Sequence, residues 1–243
     1  MPSIKSFIAG IALSTGFAMN AVALPVTINL APNTSTNVWS FSYTSTEANL
    51  TVTGWSNSSS GSKNIVQDKI GRWSGSGIGV ENASSPEHAI DNSKGDYDAV
   101  LFSFSKIVDV SGLAIGWAQT DADVSVLAYT GATPFSGSLA GLGNNWATLL
   151  SNGWSVVGNY NRNGSGSFAV NPADIQSQYW LVGAYNAAFG APTQSNKLTQ
   201  KNDYFKLKSV TFEAKTVKVP EANSLILLML GLVGLVVARR RSA

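Results

Sequence analysis

The sequence predicts an all-β protein: a single antiparallel β-sandwich, jelly-roll-like, framed by an N-terminal signal peptide and a C-terminal transmembrane helix. Three observations carry the fold class. Apolar and polar residues alternate with period two in run after run between residues 38 and 212. Clusters of Gly, Asn and Ser, the residues that turn a chain back, separate the runs. The chain is 44% hydrophobic and only 12% charged, with no Cys, so its stability has to come from a packed core rather than from disulfides.

The runs follow in order. Residues 38–43 set Trp39, Phe41 and Tyr43 on one face, with small polar residues on the other. Leu50 and Val52 alternate with Thr51 and Thr53. Val100, Phe102 and Phe104 alternate with Leu101 and Ser103; Leu113, Ile115 and Trp117 with Ala114 and Gly116; Val124 and Val126 with Ser125 and Leu127. Residues 179–185 and 205–212 supply the late strands. Turns are expected at 57–62, 75–79, 92–95 and 161–167, and a short helical turn at 172–177. Residues 133–152 read as a long Gly/Asn-rich segment, either a functional loop or a further strand pair.

The two ends differ from this body. In residues 1–23, Lys5 precedes an apolar run, and Ala21-Val22-Ala23 places small residues before Leu24, the pattern of a cleaved signal peptide. Residues 225–238 read LILLMLGLVGLVVA without a polar side chain, and Arg239, Arg240 and Arg241 follow at once. At ~1.5 Å per residue this run reaches roughly 21 Å, against a hydrocarbon core of ~30 Å. It spans only if Ala222, Asn223 and Ser224 are included and the arginines snorkel. Positive charge stays on the cytoplasmic side. The precursor is therefore expected in the inner membrane through 222–238, with its body on the periplasmic side. This leaves 24–219 as the exported domain and 220–243 as a tail. The formal charge of +2 comes from Lys5 and the three terminal arginines. The middle is nearly neutral, so it lacks the clustered cations that nucleic acid requires.

The tail resembles a known family. Val219, Pro220, Glu221 and Ala222, then an apolar helix, then the arginine cluster, are similar to the PEP-CTERM sorting signal of Gram-negative bacteria, with Ala222 standing where a second proline is usual. The resemblance implies recognition by exosortase, a membrane enzyme, and delivery to the cell surface or extracellular matrix. A second resemblance runs through 86–92 (PEHAIDN), 98–104 (DAVLFSF), Gly116-Trp117 and 121–131 (DADVSVLAYTG), a pattern similar to a group of exosortase-dependent surface proteins. It implies location and company rather than chemistry.

Candidate chemistry is sparse. His88 is the sole histidine, there is no Cys, and no Gly-x-Ser-x-Gly elbow occurs. His88 therefore reads as structural, and no catalytic residue is assigned. Glu87, Asp91, Asp96 and Asp98 concentrate carboxylates around Asn92, and Asp121 with Asp123 form a second pair. Two readings stand open for the first cluster: a structural calcium site, since calcium takes such oxygens, and simple turn chemistry. Position twelve counted from Asp91 is Phe102, so the cluster is no EF-hand. Of the seven tryptophans, Trp39 and Trp117 sit on alternating strands and read as core. Trp73, Trp146 and Trp154 adjoin Gly/Ser/Asn-rich loops and read as exposed rings for stacking on glycan. The functional expectation is a non-enzymatic exported protein, structural or adhesive in a polysaccharide or biofilm setting. Its partners would be signal peptidase, exosortase and the membrane. The alternatives are a module that binds secreted polysaccharide and, behind it, a polysaccharide-active hydrolase.

Overall fold

A computed structural model describes residues 24–32, 35–57, 64–81, 88–142, 145–191, 197–215 and 222–241. The signal peptide, Glu87, Val219, Pro220 and Glu221 lie outside the described residues. In chain order the strands are β1 Val26–Asn29, β2 Thr36–Val38, β3 Ser40–Tyr43, β4 Leu50–Ser56, β5 Val66–Asp68, β6 Ile70–Trp73, β7 Gly77–Val80, β8 Ile90–Asp91, β9 Asp98–Ala118, β10 Val124–Tyr129, β11 Trp154–Tyr160, β12 Gly166–Ala169, β13 Ser177–Ala184 and β14 Tyr204–Ala214. Helix α1 is Thr148–Ser151 and α2 is Ala222–Arg241. All strand pairings are antiparallel, which bears out the all-β expectation.

The 21-residue β9 organises the body. Its first third pairs with β4 (Phe102 opposite Val52) and β13 (Phe102 opposite Trp180). Its later part pairs with β14 (Val110 opposite Phe212) and β12 (Leu113 opposite Phe168). One layer is therefore β11-β10-β13-β9-β4, with β3 and β5 sharing the far edge of β4. The other is β12-β9-β14-β7-β6-β2, with β1 and β8 also on β14. Register shifts along the β9–β14 ladder mark bulges, which let a long strand change course.

Period-two alternation decides which side chains are buried together. Val100, Phe102 and Phe104 of β9, Val126 of β10, Trp180 and Val182 of β13, and Phe205, Leu207, Val210 and Phe212 of β14 share one core. Phe104 and Phe212 meet in it with ring centroids 4.7 Å apart. The intervening residues Ala99, Leu101, Leu127 and Leu181 point to the other face of the first layer. There a second core forms beneath the segment between β10 and β11, with Leu139, Trp146, Leu149 and Trp154 buried in it. The long segment at 133–152 is thus a folded cover carrying α1.

Three local expectations are corrected. Residues 172–177 form no helix: the Asn171 side chain accepts the Ile175 amide and donates to the Ile175 carbonyl, closing a turn. Of the turn expected at 75–79, residues 77–79 belong to strand β7. Trp39 is 56% exposed rather than core, because it follows β2 at the edge of its layer, and Trp117 is only half-buried rather than core, with Lys206 over its ring.

The body, Ala23–Lys215, is one compact unit, and α2 belongs to another. Helix α2 is 20 residues long and exposes Leu228, Met229, Leu230, Leu232, Val233, Leu235 and Val236. Among the described residues no helix is long and apolar enough to cross a membrane.

Candidate functional site

Three places in the body gather chemistry-bearing side chains. The first is a carboxylate node where β9 ends and β10 and β14 begin. Thr120 turns the chain in the left-handed region (φ 64°), and Asp121 bridges to Asp203, one residue before β14. Carboxylate oxygens of Asp121, Asp123 and Asp203 lie within 4.8 Å of one another, with Asp123 and Asp203 buried. Backbone amides feed the node: Arg162 and Thr199 each donate to Asp123 at 2.9 Å, and Asp123 donates to Asp203 at 2.7 Å. Asn92 donates through Nδ2 to Asp203 and accepts the Asp203 amide at 3.0 Å. Thr199 Oγ1 donates to Asp121 at 2.8 Å.

Burial is the main cause that pushes the Asp203 carboxyl up to about 8, with the neighbouring charges of Asp123 and Asp121 adding to it against the hydrogen bonds. Burial likewise raises Asp123. These three are the residues placed to hold a metal ion, since a hard cation takes carboxylate oxygens. Without one, Asp203 keeps a proton at neutral pH.

The expected calcium set fares differently. Asp91 and Asp98 are both buried to 1% exposure and within hydrogen-bond reach of each other, and burial first of all raises Asp91. Asp96 is half-buried nearby and adds its charge, while Glu87 is outside the described residues. Among the described residues, the geometry brings three carboxylates to one point at Asp121, Asp123 and Asp203, not in this stretch. Asp203 was missed in the sequence because it lies 80 positions from Asp123; only the β9–β14 pairing joins them.

The second place is the outer face of β6, β7, β14 and β9. Gly71 leaves room there for the Trp73 ring, and Gly79 for the His88 carbonyl. Trp73 stacks on His88 (centroids 5.1 Å, 15°), and Lys206 Nζ lies 4.3 Å from the Trp73 ring and 4.6 Å from that of Trp117. His88 Nδ1 is 3.5 Å from Glu81. Of the three tryptophans expected to face glycan, only Trp73 is half-exposed, and His88 and Lys206 already pack on it. Trp146 and Trp154 are 3% and 2% exposed, a correction: they support the second core. Leu101 and Leu127 held the overlooked signal, because apolar residues on the supposed outer face require something to cover them.

The third place is a cleft of about 460 Å³ between the two arms of that cover. It runs past Tyr129 and Phe135 to Ser151 and Asn152.

At the C-terminal end, the helix α2 follows residues 219–221 directly and ends in Arg239, Arg240 and Arg241. A family model described as the PEP-CTERM protein-sorting motif matches residues 218–241. The chain carries a PEP-CTERM sorting motif. The PEP-CTERM motif marks the chain for exosortase-dependent sorting to the cell surface, and implies export with a membrane-anchored precursor. Its match begins three residues after Lys215, the body's last residue, and covers all three motif parts: the Pro-Glu element, the apolar helix and the arginines. No curated protein and no solved structure matches the chain.

Proposed function

We propose that this protein is an exported, non-enzymatic component of the cell surface or extracellular matrix, structural or adhesive in a polysaccharide or biofilm setting. The observation that carries the reading is the sorting motif at 218–241 joined to a disulfide-free β body. In this reading signal peptidase cuts before Leu24. The apolar run 225–238 then holds the precursor in the inner membrane, with Arg239, Arg240 and Arg241 on the cytoplasmic side. Exosortase acts at Pro220-Glu221. A body meant to be displayed needs persistence rather than a reactive centre, and its acidic node fits that: Asp123 and Asp203 are buried and bonded to backbone amides. A glycosidase instead sets two carboxyls ~5–10 Å apart across a groove.

The test is fractionation of producer cells with and without exosortase. The body is expected at the surface or in the matrix only when the enzyme is present. Equal surface amounts in both strains would overturn the reading. A second reading, a module that binds secreted polysaccharide, is favoured by the cleft over the first layer, which is lined by aromatic rings, hydroxyls and an amide.

A further inference from the structure

We propose that the cleft in the β10–β11 cover is a binding site for a neutral glycan, a chain of uncharged hexoses. The inference rests on the glycan-binding reading and gives it a place and a ligand class. Lining side chains include Tyr129, Phe135, Ser136, Ser138, Ser151 and Asn152, and among the described residues no Asp, Glu, Lys, Arg or His lines it. The volume, about 460 Å³, is within the ~300–1,000 Å³ of small-ligand sites.

This lining suits one chemistry. A hexose has a C–H face that packs on an aromatic ring and a rim of hydroxyls that both donate and accept. Serine hydroxyls and an asparagine amide also do both, so they pair with that rim without leaving a charge unmatched. A charged sugar entering here would lose water without gaining a counter-charge. The selectivity for neutral over acidic chains follows from that difference.

The site is also held in shape before any ligand arrives. Phe135 meets Trp154 edge-on at 5.3 Å and Tyr179 at 5.0 Å. Tyr129 packs on Trp154 at 5.6 Å and donates its hydroxyl to the Thr133 carbonyl. Gly131 and Gly153 let the two arms approach: a Cβ on either would come within about 3.0 Å of the other's Cα. Gly153 also has φ +88°, which favours glycine. The buried Trp154 thus contributes as the floor beneath the rings. A preformed site spares the ligand the cost of ordering the loop.

The experiment is affinity electrophoresis and pull-down of the exported protein with neutral β- and α-glucans and with polygalacturonate as the acidic comparison. Binding to at least one neutral glucan is expected, with at least tenfold weaker binding to polygalacturonate. Phe135→Ala removes a platform ring and Ser136→Glu puts a charge into the cleft from an exposed position; each should weaken neutral-glucan binding at least tenfold. Because Phe135→Ala also thins the second core, the surface change Ser136→Glu keeps the test sound if the former misfolds. Trp39→Ala, elsewhere on the body, should bind like the wild type. Wild-type binding that both cleft variants retain would overturn this site and leave the glycan reading standing. Preference for polygalacturonate would overturn the ligand class. No binding to any of the three polysaccharides would overturn site and glycan reading together.

Discussion

Asp203 is where a single residue makes the body sensitive to pH. Its carboxyl is fully buried and pushed up to about 8, while its unfolded value is near 3.8. Below that lower value both states are protonated. Between the two, the folded chain keeps the proton and the unfolded chain releases it, so stability falls as pH rises through the window and levels off above about 8. Asp123, also raised by burial, acts in the same direction. Melting of the body in chelator should therefore drop between pH 5 and pH 8. Even ~1 kcal/mol lowers Tm by roughly 2–4 °C for a chain of this size. Asp203→Asn, neutral at both pH values, should flatten that slope; an unchanged slope would place the titration elsewhere. The node also shows what residue spacing reveals and conceals. The carboxylates at 91, 96 and 98 are conspicuous as neighbours in sequence, yet only Asp91 and Asp98 come within hydrogen-bond reach of each other. The three that converge are joined by strand pairing across 80 positions, which no local spacing encodes.

At the scale of elements, alternation was a good guide to strands and a poor one to exposure. It placed Phe102, Phe104, Val126 and Phe212 in the core correctly. It also placed Trp39 there, although an edge position leaves that ring in water. It could not reveal that residues 100–104 and 113–117 belong to one strand, because the bulges that carry β9 from one layer to the other need no turn residues. Glycine is the element-level device the sequence left most ambiguous. Gly79 reads as a turn residue but sits in β7, where a Cβ would come 1.9 Å from the His88 carbonyl oxygen. Gly79→Ala should cost about 1–3 kcal/mol, the usual range for overpacking against a neighbour that cannot move. Gly164→Ala meets nothing within 4 Å and should stay within about 0.5 kcal/mol. Urea melts of the two variants check the contrast. Trp180→Ala, which empties a fully buried site, should cost about 3–5 kcal/mol, whereas Trp39→Ala should fall within the ~0.5 kcal/mol typical of exposed positions.

For the whole molecule, the decisive question is which residues survive to the surface. The body is compact through Lys215 and has its own cores. The tail is poorly suited to permanent anchoring. Its unbroken apolar run, 225–238, reaches roughly 21 Å and must borrow flanking residues to cover a ~30 Å hydrocarbon core. In the proposed topology the three arginines that follow hold that end in the cytoplasm and set the Pro-Glu element at the outer boundary. Pro220 has no N–H to donate and disfavours helix at Val219, which suits the proposed cleavage there by a membrane enzyme. Ala222, in place of a second proline, relaxes that stiffness. Cleavage is therefore expected near Pro220-Glu221, and surface protein should begin at Leu24 and lack α2. Intact mass of the surface fraction reads both ends at once. In cells without exosortase, protein from the inner-membrane fraction should extend to Ala243. A full tail on surface protein from wild-type cells would instead make α2 a lasting anchor and the motif a signal that is bound without being cut.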